Sequence, residues 1–412
     1  MRSIAVIGAS LAGLSAARAL REQGFDGRLS IVGQETHRPY DRTPLSKSFL
    51  AGSVTEADLG LEGDGEDLGL DWRTGVAATA LRPAARSVDL ADGSALVVDG
   101  VVLATGAIPR LIWPRPPGGV HVLRTLDDAR ALRAELVPGA RFVTVGAGFV
   151  GAEVASTARG LGLDVTVVEA APTALAGPLG ARMGQIVSSL HADHGVRLLC
   201  GVGVVGLTTD GPLDPDTGPT GRVTGVRLAD GRTVPADVVL VGVGVRPDVD
   251  WLVGSGLHIA DGVRCDDIGV TEIPDVVAVG DCATWFEPSL GVHHRLEHWT
   301  AARERGAIAG AALLSRGADR RRGRPPYFWS DQYGVRIQMT GHSAGSDSVE
   351  IEEGSAATRD FLAVYRRGGE PVAALALGQG KSFVRWRRYF AGAAVAGISD
   401  PPVPVPLLSR QI

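Results

Sequence analysis

The stretch IAVIGASLAG, residues 4–13, decides the fold. A short run rich in Ile and Val, residues that favour strands, ends in a glycine-punctuated turn, and an alanine-rich helical segment, LSAARAL at residues 14–20, follows. This order leaves free N–H groups and the positive end of a helix dipole where an anionic pyrophosphate would sit. In the G-x-G-x-x-G spacing, Gly8 permits the tight turn. Gly13, beside Ala12, lets the helix pack close to the strand, and Ser10 stands where a middle glycine would let backbone approach the phosphates. Taken alone the stretch also suits an ordinary strand-to-helix turn.

The pattern recurs. FVTVGAGFVGAEVA, residues 142–155, has all three glycines, Gly146, Gly148 and Gly151, with Phe149 and Val150 between the last two. Gly146 lies 138 residues after Gly8 (146 − 8), and the same offset relates VDLADG at 88–93 to VRLADG at 226–231, and Gly106 and Pro109 to Gly244 and Pro247. Repetition at a domain-sized period implies two copies of one architecture: strand, glycine turn, helix, acid-ended strand, Asp-Gly hairpin and closing strand. Two bound dinucleotides are expected. In the second copy Glu169, 23 residues after Gly146 (169 − 146), ends the strand of LDVTVVEA, where a carboxylate accepts the ribose hydroxyls. It would repel a 2′-phosphate, and the next residues, Ala170 and Ala171, supply no arginine, so the pattern favours NAD over NADP. In the first copy LSIVG runs into Gln34 and Glu35, so the ribose acid is either displaced by one residue or replaced by an amide.

Composition narrows the class. A chain of 412 residues suggests two or three domains, and 56 glycines with few aromatics suit the many βα turns of an α/β protein. A net charge of −5 argues against a nucleic-acid binder. Cys200, Cys265 and Cys282 are far apart and form no C-x-x-C, so neither a metal site nor a redox pair is expected, and a reducing cytoplasm suits them. A first strand near Ser3 leaves no room for a leader, and no apolar run approaches membrane-spanning length, so neither export nor a membrane span is expected.

A series of motifs in fixed order points to a family: GASLAG (8–13), PYDRTPLSK (39–47), ATG (104–106), GAGFVGAE (146–153), VGVGVRP (241–247), VAVGDCA (277–283), RLEHWTAA (295–302) and FWSDQYG (328–334). Over nearly its whole length the chain resembles the FAD-dependent, NADH-using ferredoxin reductases that feed bacterial cytochrome P450 and aromatic-ring dioxygenase systems. The resemblance implies FAD on the first copy, at Gly8, Ser10, Ala12, Gly13, Gln34 or Glu35, and Ala104, Thr105 and Gly106. Asp281 would bond the ribityl chain, and Arg42, Val76, Arg124 and Trp299 would make further contacts. It implies NAD on the second copy, at Gly146, Gly148, Phe149, Val150, Gly151, Glu169 and Gly244. Lys47 resembles the lysine beside the reactive edge of the flavin, where a cation stabilises negative charge on the reduced ring. Its expected partner is Glu153, read as lying on the first turn of the second helix.

The activity implied is hydride transfer from NADH to FAD, then single electrons to a small iron–sulfur ferredoxin serving a P450 or ring-hydroxylating oxygenase. Disulfide reductases of this group need a cysteine pair, and relatives that reduce coenzyme A disulfide or peroxide carry one cysteine near the position of Ser46. No cysteine precedes Cys200 here, and neither G-x-S-x-G nor H-E-x-x-H occurs. Other readings are an NADH oxidase, a quinone or dehydroascorbate reductase, or a non-enzymatic NADH-gated flavoprotein.

The expected architecture is α/β: two Rossmann-like dinucleotide-binding domains, residues 1–114 with 247–325 for FAD and 115–246 for NAD, then a small α+β domain at 326–412. In that last part VRIQMTG, DFLAVYRRGG and PVAALALG read as strands and residues 381–396 as a helix. Arginines cluster at Arg303 and Arg305, at 320–324, and at Arg385, Arg387 and Arg388. The first and last groups are expected to border a docking surface for an acidic ferredoxin, and the middle run reads as a solvated connector.

Overall fold

The computed structural model describes residues 1–214, 218–316 and 323–396; most of the middle arginine run, Arg320 to Arg322, lies outside the described residues. The chain forms two compact units, one of Met1–Asp41, Glu56–Ile108 and Val245–Pro326, the other of Arg42–Thr55, Pro109–Gly244 and the described residues from Tyr327 on.

The first unit is built on a parallel sheet in the order Val276–Ala278, Gly100–Leu103, Ser3–Ile7, Arg28–Gly33, Leu70–Thr74. Its central strands are apolar on both faces because both are covered. The helices Leu11–Glu22 and Trp299–Ser315 pack together through glycines: a Cβ on Gly306 would stand 2.7 Å from the Ala12 carbonyl oxygen, and one on Gly310 2.8 Å from that of Ala16. An antiparallel sheet of Ala78–Arg82, Ser87–Leu90 and Ala95–Val97 adds Leu81, Val88, Leu90 and Leu96 to the same core.

The second unit repeats this plan. Its parallel sheet runs Arg197–Cys200, Asp164–Glu169, Arg141–Val145, Val238–Val241, Val120–His121, with the helix Phe149–Gly160 after the glycine turn and an antiparallel sheet of Val204–Thr209, Val223–Leu228 and Thr233–Pro235. The two ADG repeats sit at equivalent turns, between Ser87–Leu90 and Ala95–Val97 and between Val223–Leu228 and Thr233–Pro235. Where the copies diverge, the second inserts the helix Ala176–Ser188, which sequence reading did not anticipate. Gly177, Pro178, Gly180 and Gly184 disguise it, and the backbone breaks at Gly180 (φ 74°, ψ 158°), so two short helical pieces meet at a kink.

From Tyr327 an antiparallel sheet runs in the order Tyr327–Gln332, Val335–Gly341, Glu370–Leu377, Asp360–Arg367, Ser348–Ser355. The three expected strands and the helix, Gly380–Ala396, are present. The strand Ser348–Ser355 was not anticipated, since SVEIEEGS is acid-rich and carries a bulge between Ile351 and Glu353. Period-two alternation gives the sheet two apolar faces. Leu362, Val364, Ala374 and Ala376 meet Phe383, Trp386 and Phe390 of the helix, while Ile337, Phe361, Ala363 and Tyr365 meet Leu175, Leu179, Met183 and Val187. Among the described residues no helix is long and apolar enough to cross a membrane.

Two nucleotide cradles and a buried lysine–glutamate pair

In both fingerprints the outer glycines are required by the fold. Gly8 has φ 126°, and a Cβ there would stand 2.0 Å from the Ala104 carbonyl oxygen; Gly146 has φ 99°, with the Gly242 oxygen 2.4 Å from the same point. No side chain fits in either place. Gly13 and Gly151 each lie against the carbonyl of their own first glycine, at 2.0 and 2.4 Å from a would-be Cβ. Gly148 differs: it is exposed, and a Cβ there would meet no protein atom within 4 Å. The space above it is free for a ligand.

Both helix N-termini suit a pyrophosphate. Ser10 and Gly148 are the N-cap residues, neither makes a side-chain cap, and neither first turn holds an acid, so the leading N–H groups and the dipole remain for an anion. In the first unit Gly280 comes to 3.0 Å, measured from its would-be Cβ, from the methyl of Ala12, which brings the neighbouring Asp281 to the start of the Leu11–Glu22 helix. Ala104 donates its N–H to Ile7, Thr105 bonds the Asp248 carbonyl through its hydroxyl at 2.6 Å, and Gly106 takes φ 75°. Val76 donates its N–H to the Gly33 carbonyl at the end of the second strand. Beyond Gly33, Gln34 is exposed, whereas Glu35 is half-buried and accepts the Tyr40 hydroxyl at 2.5 Å. Trp299 opens the Trp299–Ser315 helix with the Arg303 guanidinium 5.7 Å above its ring.

In the second unit Glu169 ends its strand as expected and braces the glycine turn, accepting the Ala147 N–H and, through its other oxygen, the Ala171 N–H, both at 2.8 Å. Val150 is 47% exposed, Phe149 packs against Phe328 at 4.9 Å between ring centres, and Gly244, with φ 94°, accepts the Arg110 N–H. Arg42 donates to the carbonyl of Arg124 at 2.6 Å, and the Arg124 N–H is held by Asp128.

The same unit contains an ion pair with a buried carboxylate and a half-buried ammonium. Lys47 Nζ lies 2.9 Å from Oε2 of Glu153, with side-chain exposures of 21% and 7%. Glu153 is the fifth residue of the Phe149–Gly160 helix, so it begins the second turn where sequence reading had placed it on the first. Two further donors reach the same carboxylate: the Ser46 hydroxyl on Oε2 at 2.5 Å and the Ser330 hydroxyl on Oε1 at 2.7 Å. Ser330 accepts in turn from Gln332 Nε2 at 3.1 Å. Thr157 fixes the lysine segment through the Ser46 carbonyl at 2.8 Å. A cleft of about 330 Å³ lined by Lys47, Ser156, Thr157, Asp331 and Tyr333 opens beside the pair. Sequence reading missed Ser330, Gln332 and Thr157. One signal was available for the first two, which both lie in the motif FWSDQYG at 328–334; the lysine count points to the pair itself, since of 41 basic residues only Lys47 and Lys381 are lysines.

Burial pushes the thiols of Cys265 and Cys282 up from their usual range, as partial burial does for Cys200, so none is primed as a nucleophile. Of the described arginines in the three clusters, Arg305 lies over the Trp285 ring at 4.8 Å and Arg385 is tied to Glu353, while Arg303, Arg324, Arg387 and Arg388 are exposed, Arg387 with its guanidinium 3.9 Å over the Tyr327 ring.

Residues 2–306 match the pyridine nucleotide-disulphide oxidoreductase family, and residues 327–400 match the family described as reductase C-terminal. The ferredoxin reductase component of chlorobenzene dioxygenase from Cupriavidus sp. (strain PS12) is 38% identical over 83% of this chain and 81% of its own. The ferredoxin–NAD(+) reductase component of the biphenyl dioxygenase system from Paraburkholderia xenovorans (strain LB400) is 36% identical over 92% and 91%. A solved covalent complex of putidaredoxin reductase with putidaredoxin contains a chain that superposes with a TM-score of 0.87 at 31% identity, covering 95% of this chain and 93% of that one. The chain belongs to the pyridine nucleotide-disulphide oxidoreductases, and with its reductase C-terminal domain to the ferredoxin reductases among them.

Proposed function

We propose that the chain is an NADH-dependent ferredoxin reductase, in which bound FAD takes a hydride from NADH and yields electrons singly to an iron–sulfur ferredoxin that serves a P450 or ring-hydroxylating oxygenase. The observation that carries this reading is the Ser46–Lys47–Glu153 cluster: a fixed ammonium beside a hydroxyl, where a disulfide- or peroxide-reducing relative would need a thiol. Such a centre acts by charge and orientation and has no nucleophile to offer.

The roles proposed for the chain's residues follow from that. Gly8, Ser10 and Gly13, with Asp281 and the segment Ala104 to Gly106, would hold FAD, and Glu35 is the better candidate for its ribose because Tyr40 already orients its carboxylate. Gly148 and the open face beside Val150 would admit NADH, with Glu169 on its ribose. Lys47, kept in place by Glu153, would stabilise negative charge on the reduced ring. A cytoplasmic setting fits three free cysteines, which a reducing compartment preserves.

The test is turnover by the FAD-loaded protein with a 2Fe–2S ferredoxin, read as NADH-driven cytochrome c reduction, against oxygen and quinone as direct acceptors. Ferredoxin-dependent reduction that exceeds both supports the reading, and equal or faster turnover with oxygen or quinone overturns it. Lys47→Ala is expected to slow reduction by NADH on the order of 10- to 100-fold.

A further inference from the structure

We infer that Ser330 and Gln332 are positioning residues for the Lys47–Glu153 pair, so that the reductase C-terminal region contributes to the chemistry. The inference rests on the reading above that Lys47 serves the bound flavin. Glu153 is 6% exposed, Ser330 fully buried and Gln332 1% exposed, so none of their polar groups has water as an alternative partner. An ionised carboxylate only accepts, which commits the single proton of the Ser330 hydroxyl to Glu153; the serine lone pairs are then free to accept from the Gln332 amide. The chain of donors therefore has one direction, Gln332 to Ser330 to Glu153.

The two carboxylate oxygens are held by different parts of the second unit. Oε2 is held by Ser46 and Lys47, whose segment is anchored through Thr157, and Oε1 by the strand Tyr327–Gln332. Removing the second anchor leaves a buried oxygen without its donor and lets the carboxylate turn about its last torsion, which carries Oε2 away from the ammonium. A position that only packed would be occupied at least cost by an apolar side chain, since a buried hydroxyl is unfavourable unless it is bonded.

The scarcity of lysine makes the test direct. Lys47 and Lys381 are the only side-chain amines, and Lys381 is exposed at the start of the last helix, a reference within the same molecule. Wild type, Ser330→Ala and Ser330→Thr are acetylated in full-length form, with and without FAD, as a function of pH, and modification is counted at each lysine by mass spectrometry. Single-turnover reduction by NADH then separates the limiting rate from the apparent Kd. In Ser330→Ala, acetylation of Lys47 is expected to rise roughly tenfold, the factor for losing a hydrogen bond to a charged group, with Lys381 unchanged. The limiting rate should fall with NADH affinity kept, and Ser330→Thr should restore both. Unchanged Lys47 labelling in Ser330→Ala, or equal effects of alanine and threonine, overturns the inference. Labelling of the FAD-free protein involves no ferredoxin, so a protein that reduces no ferredoxin yet shows the Lys47 shift would sink the proposed function and leave this inference standing.

Discussion

Glu169 and Ala147 are joined at 2.8 Å, the carboxylate accepting the backbone N–H at the glycine turn, and the other carboxylate oxygen accepts from Ala171. A carboxylate has about four acceptor positions, so two remain for ribose hydroxyls. Glu169→Arg is expected to shift the ratio of kcat/KM for NADH over NADPH toward NADPH by several kcal/mol. It should also lower Tm, because both backbone anchors are lost. Steady-state kinetics with each nucleotide and a thermal melt check the two effects, and an unchanged nucleotide ratio would remove Glu169 from selection.

Gly148→Ala separates binding from folding. Nothing in the protein stands within 4 Å of the added methyl, and the backbone there, φ −71°, suits alanine, so Tm should stay within about 2 °C. The methyl enters the space offered to the pyrophosphate, so KM for NADH should rise. Gly146→Ala, at φ 99° and 2.4 Å from a carbonyl oxygen, is expected to unfold the unit instead.

Charge reversal at exposed arginines should act on the carrier alone. Arg303→Glu and Arg388→Glu are each expected to raise KM for an acidic ferredoxin, with an effect that shrinks as salt screens the surface, while NADH-to-ferricyanide turnover holds. Arg305→Glu should instead cost stability, since that guanidinium covers the Trp285 ring. Insensitivity of ferredoxin reduction to both reversals and to ionic strength would place docking elsewhere.

Stability should fall on mild acidification. Burial lowers His191 and His298 to about 4, from an unfolded value near 6.5, so the folded protein binds fewer protons than the unfolded chain between these limits. The stabilisation is complete above about pH 6.5 and is lost progressively as pH falls toward 4, by about 3 kcal/mol for each histidine. In the native state His191 bonds the Tyr333 hydroxyl at 2.6 Å. Denaturant unfolding between pH 7 and 5 measures the slope, and His191→Asn should reduce it by roughly half, the part due to His298 remaining.

Much of this was legible in the sequence because the repeat carries its own register. One offset matches the glycine turns, the ADG hairpins and the closing strands; the pairing of Lys47 with Glu153 came instead from the family resemblance, since Lys47 lies in a stretch that the second copy does not repeat. The helix Ala176–Ser188 was not legible, since Gly180 and Pro178 are breakers by local rules and only burial of Leu179, Met183 and Val187 makes the segment helical. Ser330 and Gln332 were hidden for a different reason. A serine in a strand is unremarkable until a carboxylate far away in sequence is found to accept from it, and no periodicity reports such a contact. The neighbours of Arg305 and Arg385, the Trp285 ring and Glu353, were hidden likewise, because sequence shows charge without showing what lies beside it.

The last donor to reach Glu153 lies 177 residues after it in the chain. At ribosomal rates this is an interval of about 9 to 35 s, during which Ser46 and Lys47 have been made and the carboxylate has only that side of its cage. A nascent chain therefore carries a half-closed acid while these 177 residues are made, and release before the strand Tyr327–Gln332 would leave that acid open to water with no partner for Oε1. Completion of the centre is tied to synthesis of the strand Tyr327–Gln332, so a chain truncated before it is expected to lack an ordered lysine as well as its last sheet.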